Sequence, residues 1–236
     1  MAAEAKAVQQ TPQRVALVAG ATGLTGAALL RLLLANNDYT RILAVTRRPL
    51  LLDHPRLANR VLALEQAQAG LAGQRCHDAF CCIGAPQARH ATAAQLRPVD
   101  VELTVGFARA ALAMGATRCI VVSAAGADRR APRPFLKAKG EMEAALRELR
   151  FANIDVLQPG AVLGVRAQMG GAALLELALR PLLNPLLRGA LASHRAIAPQ
   201  ELAAAMLGAA RAQRGGIHQY AGTLLQELAR RGRDAS

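Results

Sequence analysis

From Val15 onward, short unbroken apolar runs alternate with longer stretches in which apolar residues recur every three or four positions. The first run, Val15–Ala19, is too short for a helix and is bounded by glycine, the pattern of a strand buried on both faces. Further runs predict strands at Arg41–Thr46, Arg60–Leu64, Asp78–Ile83, Arg118–Ser123 and Ile154–Leu157, with a short late strand at Ile217–Tyr220. Between them, helical periodicity predicts helices from Leu24, over Pro98–Met114, Phe135–Leu149, Gln200–Ala212 and Leu224–Arg231. Pro98 suits a first turn and Gly115 a helix stop. The alternation of strand and helix implies an α/β fold with a doubly wound parallel sheet. Past Gly164 the pattern loosens, and Ala172–Leu191 is apolar and helical but interrupted by Pro181, Asn184, Pro185 and Gly189. The reading is therefore a disordered leader over 1–13 and a single domain over 14–236. Its last part, about 165–236, caps the C-terminal strand edges and forms the substrate pocket.

Where the first strand meets the first helix, Gly20, Gly23 and Gly26 stand at three-residue spacing. In the context strand, turn, helix, the first glycine permits a tight turn and the second lets backbone approach a pyrophosphate. The third lets helix and strand pack closely, and the helix N-terminus offers N–H groups to phosphate. The acid that would hold a ribose 2′-hydroxyl is missing after the second strand, where Arg47 and Arg48 stand instead. Two guanidinium groups there suit a 2′-phosphate, which points to NADP(H). The third strand's end would border the adenine, and Gly84 ends the fourth strand where backbone passes close to the cofactor. Arg89 and His90 fall in a loop, and a solvated loop histidine is the simpler reading of His90.

Composition adds three bounds. A net charge of +13 raises nucleic acid or an anionic membrane as partners. The arginines are scattered and no aromatic platform accompanies them, so neither is expected, although a peripheral membrane contact at Leu174–Arg195 is one reading of that stretch. No uncharged apolar run reaches the ~20 residues that span a bilayer. The four cysteines, Cys76, Cys81, Cys82 and Cys119, lack zinc spacing and read as reduced core residues of a cytoplasmic protein, with no metal site.

The segments GATGLTG, RRPL, FCCIG, VSAAGAD, KAKGEMEAAL and LQPGAVLG, in that order, resemble the atypical short-chain dehydrogenase/reductase family. Within it the likeness is to the Tat-interacting, NADPH-binding oxidoreductase-like proteins and their bacterial relatives, over roughly residues 14–165. The resemblance implies a Rossmann fold with strand order 3-2-1-4-5-6-7 and NADP(H) on the strands' C-terminal edge. It implies phosphate contacts from Gly20, Thr22, Gly23, Leu24 and Thr25, with Gly26 in the same cofactor-binding turn, and ribose-phosphate contacts from Arg47 and Arg48. It places Leu64, Cys82, Ile83 and Gly84 along the adenine and ribose, and Pro159, Gly160 and Val162 on the nicotinamide side.

That family's chemistry uses Tyr-x-x-x-Lys on the fifth helix and a serine at the end of the fifth strand. Ser123 and Lys139 match, and Lys139 would also hold the ribose. The tyrosine position is Phe135, on the same helical face as Lys139 but without a phenol oxygen. Lys137 is rotated to roughly the opposite face, and the chain's tyrosines, Tyr39 and Tyr220, lie elsewhere. Asp100 stands where extended relatives often carry an asparagine; it either pairs with Lys139 or forms part of a helix start. Two functions stay open: an NADP(H)-dependent oxidoreductase with a modified site acting on an unknown small molecule, and a non-catalytic NADPH-sensing module with a protein partner. A homodimer through the helices at Pro98–Met114 and Phe135–Leu149 is a further expectation.

Overall fold

The fold is seen in a computed structural model that describes residues 14–84, 92–163, 196–212 and 214–234. The expected leader, the loop carrying Arg89 and His90, and the apolar stretch within 172–195 lie outside the described residues. The chain runs β1 (Val15–Ala19), α1 (Leu24–Ala35), β2 (Arg41–Thr46), β3 (Leu57–Val61), a 3₁₀ turn (Leu64–Gln66) leading into α2 (Ala67–Gly70), and β4 (Asp78–Cys81). Next come α3 (Ala93–Leu96), a π-helical stretch (Arg97–Leu103), α4 (Thr104–Ala113), β5 (Arg118–Val122), α5 (Pro134–Arg147) and β6 (Asn153–Gln158). Last are β7 (Ala161–Val162), β8 (Ala196–Ile197), α6 (Pro199–Arg211), β9 (Gly216–Ala221) and α7 (Thr223–Arg233).

Seven strands form one sheet in the order β3-β2-β1-β4-β5-β6-β9, every neighbouring pair parallel. This is the expected order 3-2-1-4-5-6-7, with Gly216–Ala221 in the outermost place. Unbroken apolar runs serve the central strands because both faces are covered. On one face Phe107, Met142 and Leu146 of α4 and α5 pack with Leu17, Leu43 and Val121. On the other, Leu29, Leu33, Met206 and Leu228 of α1, α6 and α7 pack with Ala16, Val18 and Ile42. Helices α6 and α7 touch backbone to backbone: a Cβ on Gly208 would stand 2.0 Å from the Leu228 carbonyl oxygen, and one on Gly232 1.9 Å from that of Ala204.

Three predicted boundaries move. The third strand is Leu57–Val61, not Arg60–Leu64, and Leu64 opens the 3₁₀ turn. It is an edge strand, so one flank needs no apolar partner, and a polar residue fixes its register. The Asn59 amide donates to the Ala44 carbonyl (3.1 Å) and to Thr46 Oγ1 (2.8 Å), and its oxygen accepts the Leu50 N–H (2.9 Å). The fourth strand stops at Cys81, leaving Cys82, Ile83 and Gly84 as loop. Pro98 does not open a helix; the chain is already helical from Ala93, where Thr92 and Gln95 form a capping box. Pro98 lies inside the π-helical stretch, where its missing N–H removes one bond of the ladder and a wider turn accommodates the ring.

Candidate active site

Gly20 has φ +79°, and a Cβ there would stand 2.6 Å from the Cys82 carbonyl oxygen, so the turn requires glycine. A Cβ on Gly26 would stand 2.0 Å from the Gly20 carbonyl oxygen, which is how closely α1 presses on the turn. Gly23 donates its N–H to the Gly20 carbonyl at 3.0 Å and serves as the helix N-cap with no side chain capping the first N–H groups. Those donors, together with exposed Thr22, Gly23 and Leu24 and half-buried Thr25, face the C-terminal edge of the sheet. An uncapped helix N-terminus beside an exposed glycine backbone fits a pyrophosphate. Arg47 and Arg48 follow β2 directly on the same edge, both exposed, with no ion pair to another described residue.

The remaining expected cofactor residues divide. Ile83 is buried, Gly84 is exposed, and both lie on the loop after β4. Cys82 lends its backbone to the glycine turn, but its thiol points to Met206 Sδ at 3.6 Å, into the core beneath α6. Leu64 is half-buried against the core below α4. The loops after β5 and β6 are tied together: Ser123 N–H donates to the Leu157 carbonyl (2.7 Å) and Ala125 N–H to that of Pro159 (2.9 Å). This holds Ser123 next to Pro159 and Gly160, while Val162 enters the short β7–β8 pairing.

Around Ser123 the structure assembles two buried polar couples. Lys139, whose side chain is 4% exposed, holds its ammonium 2.8 Å from Asp100 Oδ1 and 3.5 Å from the Val122 carbonyl oxygen. Asp100 is fully buried on the π-helical stretch, beside Gly84, and pairs with Lys139. Its Oδ2 and the nearby Thr104 Oγ1 receive no hydrogen bond among the described residues. The half-buried Phe135 ring lies 6.0 Å from the same ammonium, so the two share a helix face, while Lys137 is exposed.

The second couple was not anticipated. Ser123 Oγ donates to Glu143 Oε1 at 2.5 Å. The carboxylate, 2% exposed, also accepts from Gln158 Nε2 (2.9 Å, Oε1) and Gln219 Nε2 (2.7 Å, Oε2), with Arg147 Nη2 at 3.7 Å. Glu143 lies four residues beyond Lys139, so Phe135, Lys139, Glu143 and Arg147 continue one face of α5. That spacing was visible in the chain; the glutamines that complete the site come from β6 and β9.

All four cysteines are free. Burial pushes the Cys76 thiol up to about 12 and raises Cys81, Cys82 and Cys119 as well, so none is a ready nucleophile.

A family model described as NAD(P)H-binding matches residues 20–161. The protein FMP52, mitochondrial, of Eremothecium gossypii is 33% identical over 155 residues, 64% of this chain and 67% of its own. Protein HTATIP2 of Rattus norvegicus is 31% identical over 150 residues, 62% of either chain. Among solved structures, the Bordetella bronchiseptica enzyme WbmG in complex with NAD superposes with a TM-score of 0.65 at 16% identity, over 95% of this chain and 78% of that one. MoeE5 in complex with UDP-glucuronic acid and NAD gives 0.66 at 20% identity, over 88% and 76%. At such identities the likeness is one of fold. The relatives correct the cytoplasmic placement drawn from the thiols, because the FMP52 proteins of E. gossypii, Lodderomyces elongisporus and Kluyveromyces lactis are named as mitochondrial. A reduced thiol does not tell one reducing compartment from another. The matched region takes in the glycine turn, both polar couples and strands β2 to β6, and by it the chain belongs to the NAD(P)H-binding family, among the atypical short-chain dehydrogenase/reductases related to FMP52 and HTATIP2.

Proposed function

We propose that the protein is an NADP(H)-dependent oxidoreductase acting between an alcohol and a carbonyl compound, with Ser123 in the proton-handling role that a tyrosine takes in related sites. The observation that carries this reading is the 2.5 Å hydrogen bond from Ser123 Oγ to the buried Glu143 carboxylate. The glycine turn and the first N–H groups of α1 would hold the pyrophosphate, and Arg47 and Arg48 the 2′-phosphate. Lys139 would reach the nicotinamide ribose from its place beside Asp100. When bound, the nicotinamide supplies or accepts the hydride.

The hydrogen-bond directions at Glu143 support a proton path through Ser123 to the carboxylate. Three donors converge on the carboxylate, which is therefore an acceptor. A substrate hydroxyl would pass its proton to Ser123 Oγ as Ser123 passes its own to Glu143 Oε1; reduction runs the same path backward. Each proton has a named origin and destination without a phenol at position 135.

Phe135 supports the second reading, a cofactor-sensing module without turnover, because its ring occupies the place of the missing acid. The substitution Phe135→Tyr separates the two. The wild-type protein and the variant are assayed by absorbance at 340 nm against a panel of small aldehydes, ketones and alcohols. Turnover by the wild type that Ser123→Ala abolishes and Phe135→Tyr leaves unchanged or lowers supports the oxidoreductase. Turnover that appears only in Phe135→Tyr supports the sensing module. No NADPH binding by calorimetry would end both readings.

A further inference from the structure

Bordered by Glu143, a cavity of about 600 Å³ opens between α5, the loop after β5 and the edge strand β9. That size is within the roughly 300–1,000 Å³ of small-molecule sites. Its wall is unusually basic. Arg129, Arg130 and Arg147 line it, with Asp128, Glu143 and Gln219 as the other polar side chains.

The acids in that wall are already engaged. Asp128 Oδ1 accepts the Arg130 backbone N–H at 2.6 Å, and Glu143 takes Ser123, Gln158 and Gln219. Among the described residues the guanidinium groups of Arg129 and Arg130 have no acceptor, and Arg147 stands 3.7 Å from Glu143, too far for a good hydrogen bond. Three guanidinium groups against two carboxylates leave the wall net positive, and the carboxylates already accept from neutral donors while, among the described residues, the Arg129 and Arg130 forks are open. The α5 backbone keeps the loop in place: a Cβ on Gly140 would stand 2.2 Å from the Asp128 carbonyl carbon, so helix and arginine loop are in direct contact.

We infer that this cavity binds a small oxyanion, a carboxylate or phosphate group, and that the protein's substrate is accordingly an acidic metabolite. Planar guanidinium forks suit either oxyanion. Glu143 both lines this cavity and accepts the Ser123 hydroxyl, so the anion site and the proton-handling serine share one side chain. The substrate assignment rests on the oxidoreductase reading; the anion site itself does not.

The test titrates the whole 236-residue chain with citrate and, separately, with inorganic phosphate, by calorimetry at low ionic strength. Three proteins are compared: wild type, Arg129→Ala/Arg147→Ala and Arg47→Ala/Arg48→Ala. Binding that weakens about tenfold or more in the first variant and persists in the second is the expected result. A preference for citrate assigns a carboxylate, and one for phosphate a phosphoryl group. Binding lost only in Arg47→Ala/Arg48→Ala would move the anion to the cofactor's corner and overturn the proposal. So would equal weakening in both variants, which is general charge attraction, or no binding by the wild type. Unchanged NADPH affinity in Arg129→Ala/Arg147→Ala shows that variant folded. If anions bind as expected but NADPH does not bind the wild type, the oxidoreductase reading falls and the site remains.

Discussion

Ser123 and Glu143 lie twenty residues apart and meet at 2.5 Å, one at the end of a central strand, the other two helical turns below the position where the phenol is missing. The serine hydroxyl has one proton, and it points at the carboxylate. Replacing Glu143 with Leu removes the shared acceptor of Ser123, Gln158 and Gln219, leaving the buried Ser123 hydroxyl and the half-buried Gln158 amide unpaired while exposed Gln219 turns to water. Each orphaned group costs about 1–3 kcal/mol. Glu143→Gln keeps the shape and one acceptor oxygen, so it retains most of the stability while losing the capacity to take a proton. Urea unfolding should separate Leu from Gln, and turnover should fall in both.

The Lys139–Asp100 pair is a second test of the same site. Asp100→Ala leaves a buried ammonium without its counter-charge, and breaking one side of such a pair costs about 3–5 kcal/mol. Asp100→Asn keeps an acceptor and a milder loss is expected. Denaturant midpoints for the two variants measure the difference. Wild-type stability in Asp100→Ala would mean that Lys139 finds another acceptor.

How far the sequence carried is clear from these couples. Buried strands and the glycine turn were legible because both depend on local composition: an apolar run covered on both faces, and small residues where Gly20 and Gly26 meet backbone. Strand β3 was misplaced because its register is set by Asn59, a polar residue acting through its amide. Glu143 was overlooked because its role is created by partners far off in the chain: Ser123 just past β5, Gln158 on β6 and Gln219 on β9. Its spacing from Lys139 was the available signal. Asp100 could be named as a candidate, but only the fold decides that it meets Lys139.

Arg47 and Arg48 should set cofactor choice. Both are exposed and without ion pairs among the described residues, so Arg47→Ala/Arg48→Ala should leave the fold intact. Losing a charged contact to a 2′-phosphate costs about 1.5–3 kcal/mol, roughly 10- to 100-fold in affinity. NADPH binding should weaken by that factor and NADH binding should not change. Calorimetry with both nucleotides measures the ratio, and a parallel loss for NADH would remove the 2′-phosphate assignment.

Gly26→Ala tests the turn itself. The added methyl would stand 2.0 Å from the Gly20 carbonyl oxygen, a backbone atom with no room to rotate away. Helix α1 must move off the strand. Overpacking of this kind costs about 1–3 kcal/mol, and it displaces the N–H groups meant for the pyrophosphate. A lowered Tm together with lost NADPH binding is expected. Gly73→Ala is the control: nothing lies within 4 Å of its Cβ position, and its φ of +76° confines the effect to local strain.

Alkaline pH should destabilise the fold through groups buried in neutral form. Burial pushes Cys76 from 9.0 up to about 12, and Tyr220, with burial as the main cause and Asp155 beside it, from 10.0 up to about 12. Tyr39 is raised the same way, by burial and by Asp78. In each case the folded chain holds its proton longer than the unfolded chain does. Between about pH 9 and 12 the unfolded state therefore binds fewer protons, and stability falls as pH rises. The contribution is fully present below 9 and lost on passing 12. Urea midpoints should be level from pH 7 to 8.5 and decline above 9. Cys76→Ser separates that thiol from the tyrosines, because a serine does not ionise in this range: the variant should show a shallower decline, at the cost of a constant offset. An identical slope in wild type and variant would take Cys76 out of the account and leave the alkaline loss to Tyr39, Tyr220 and the other buried thiols, Cys81, Cys82 and Cys119.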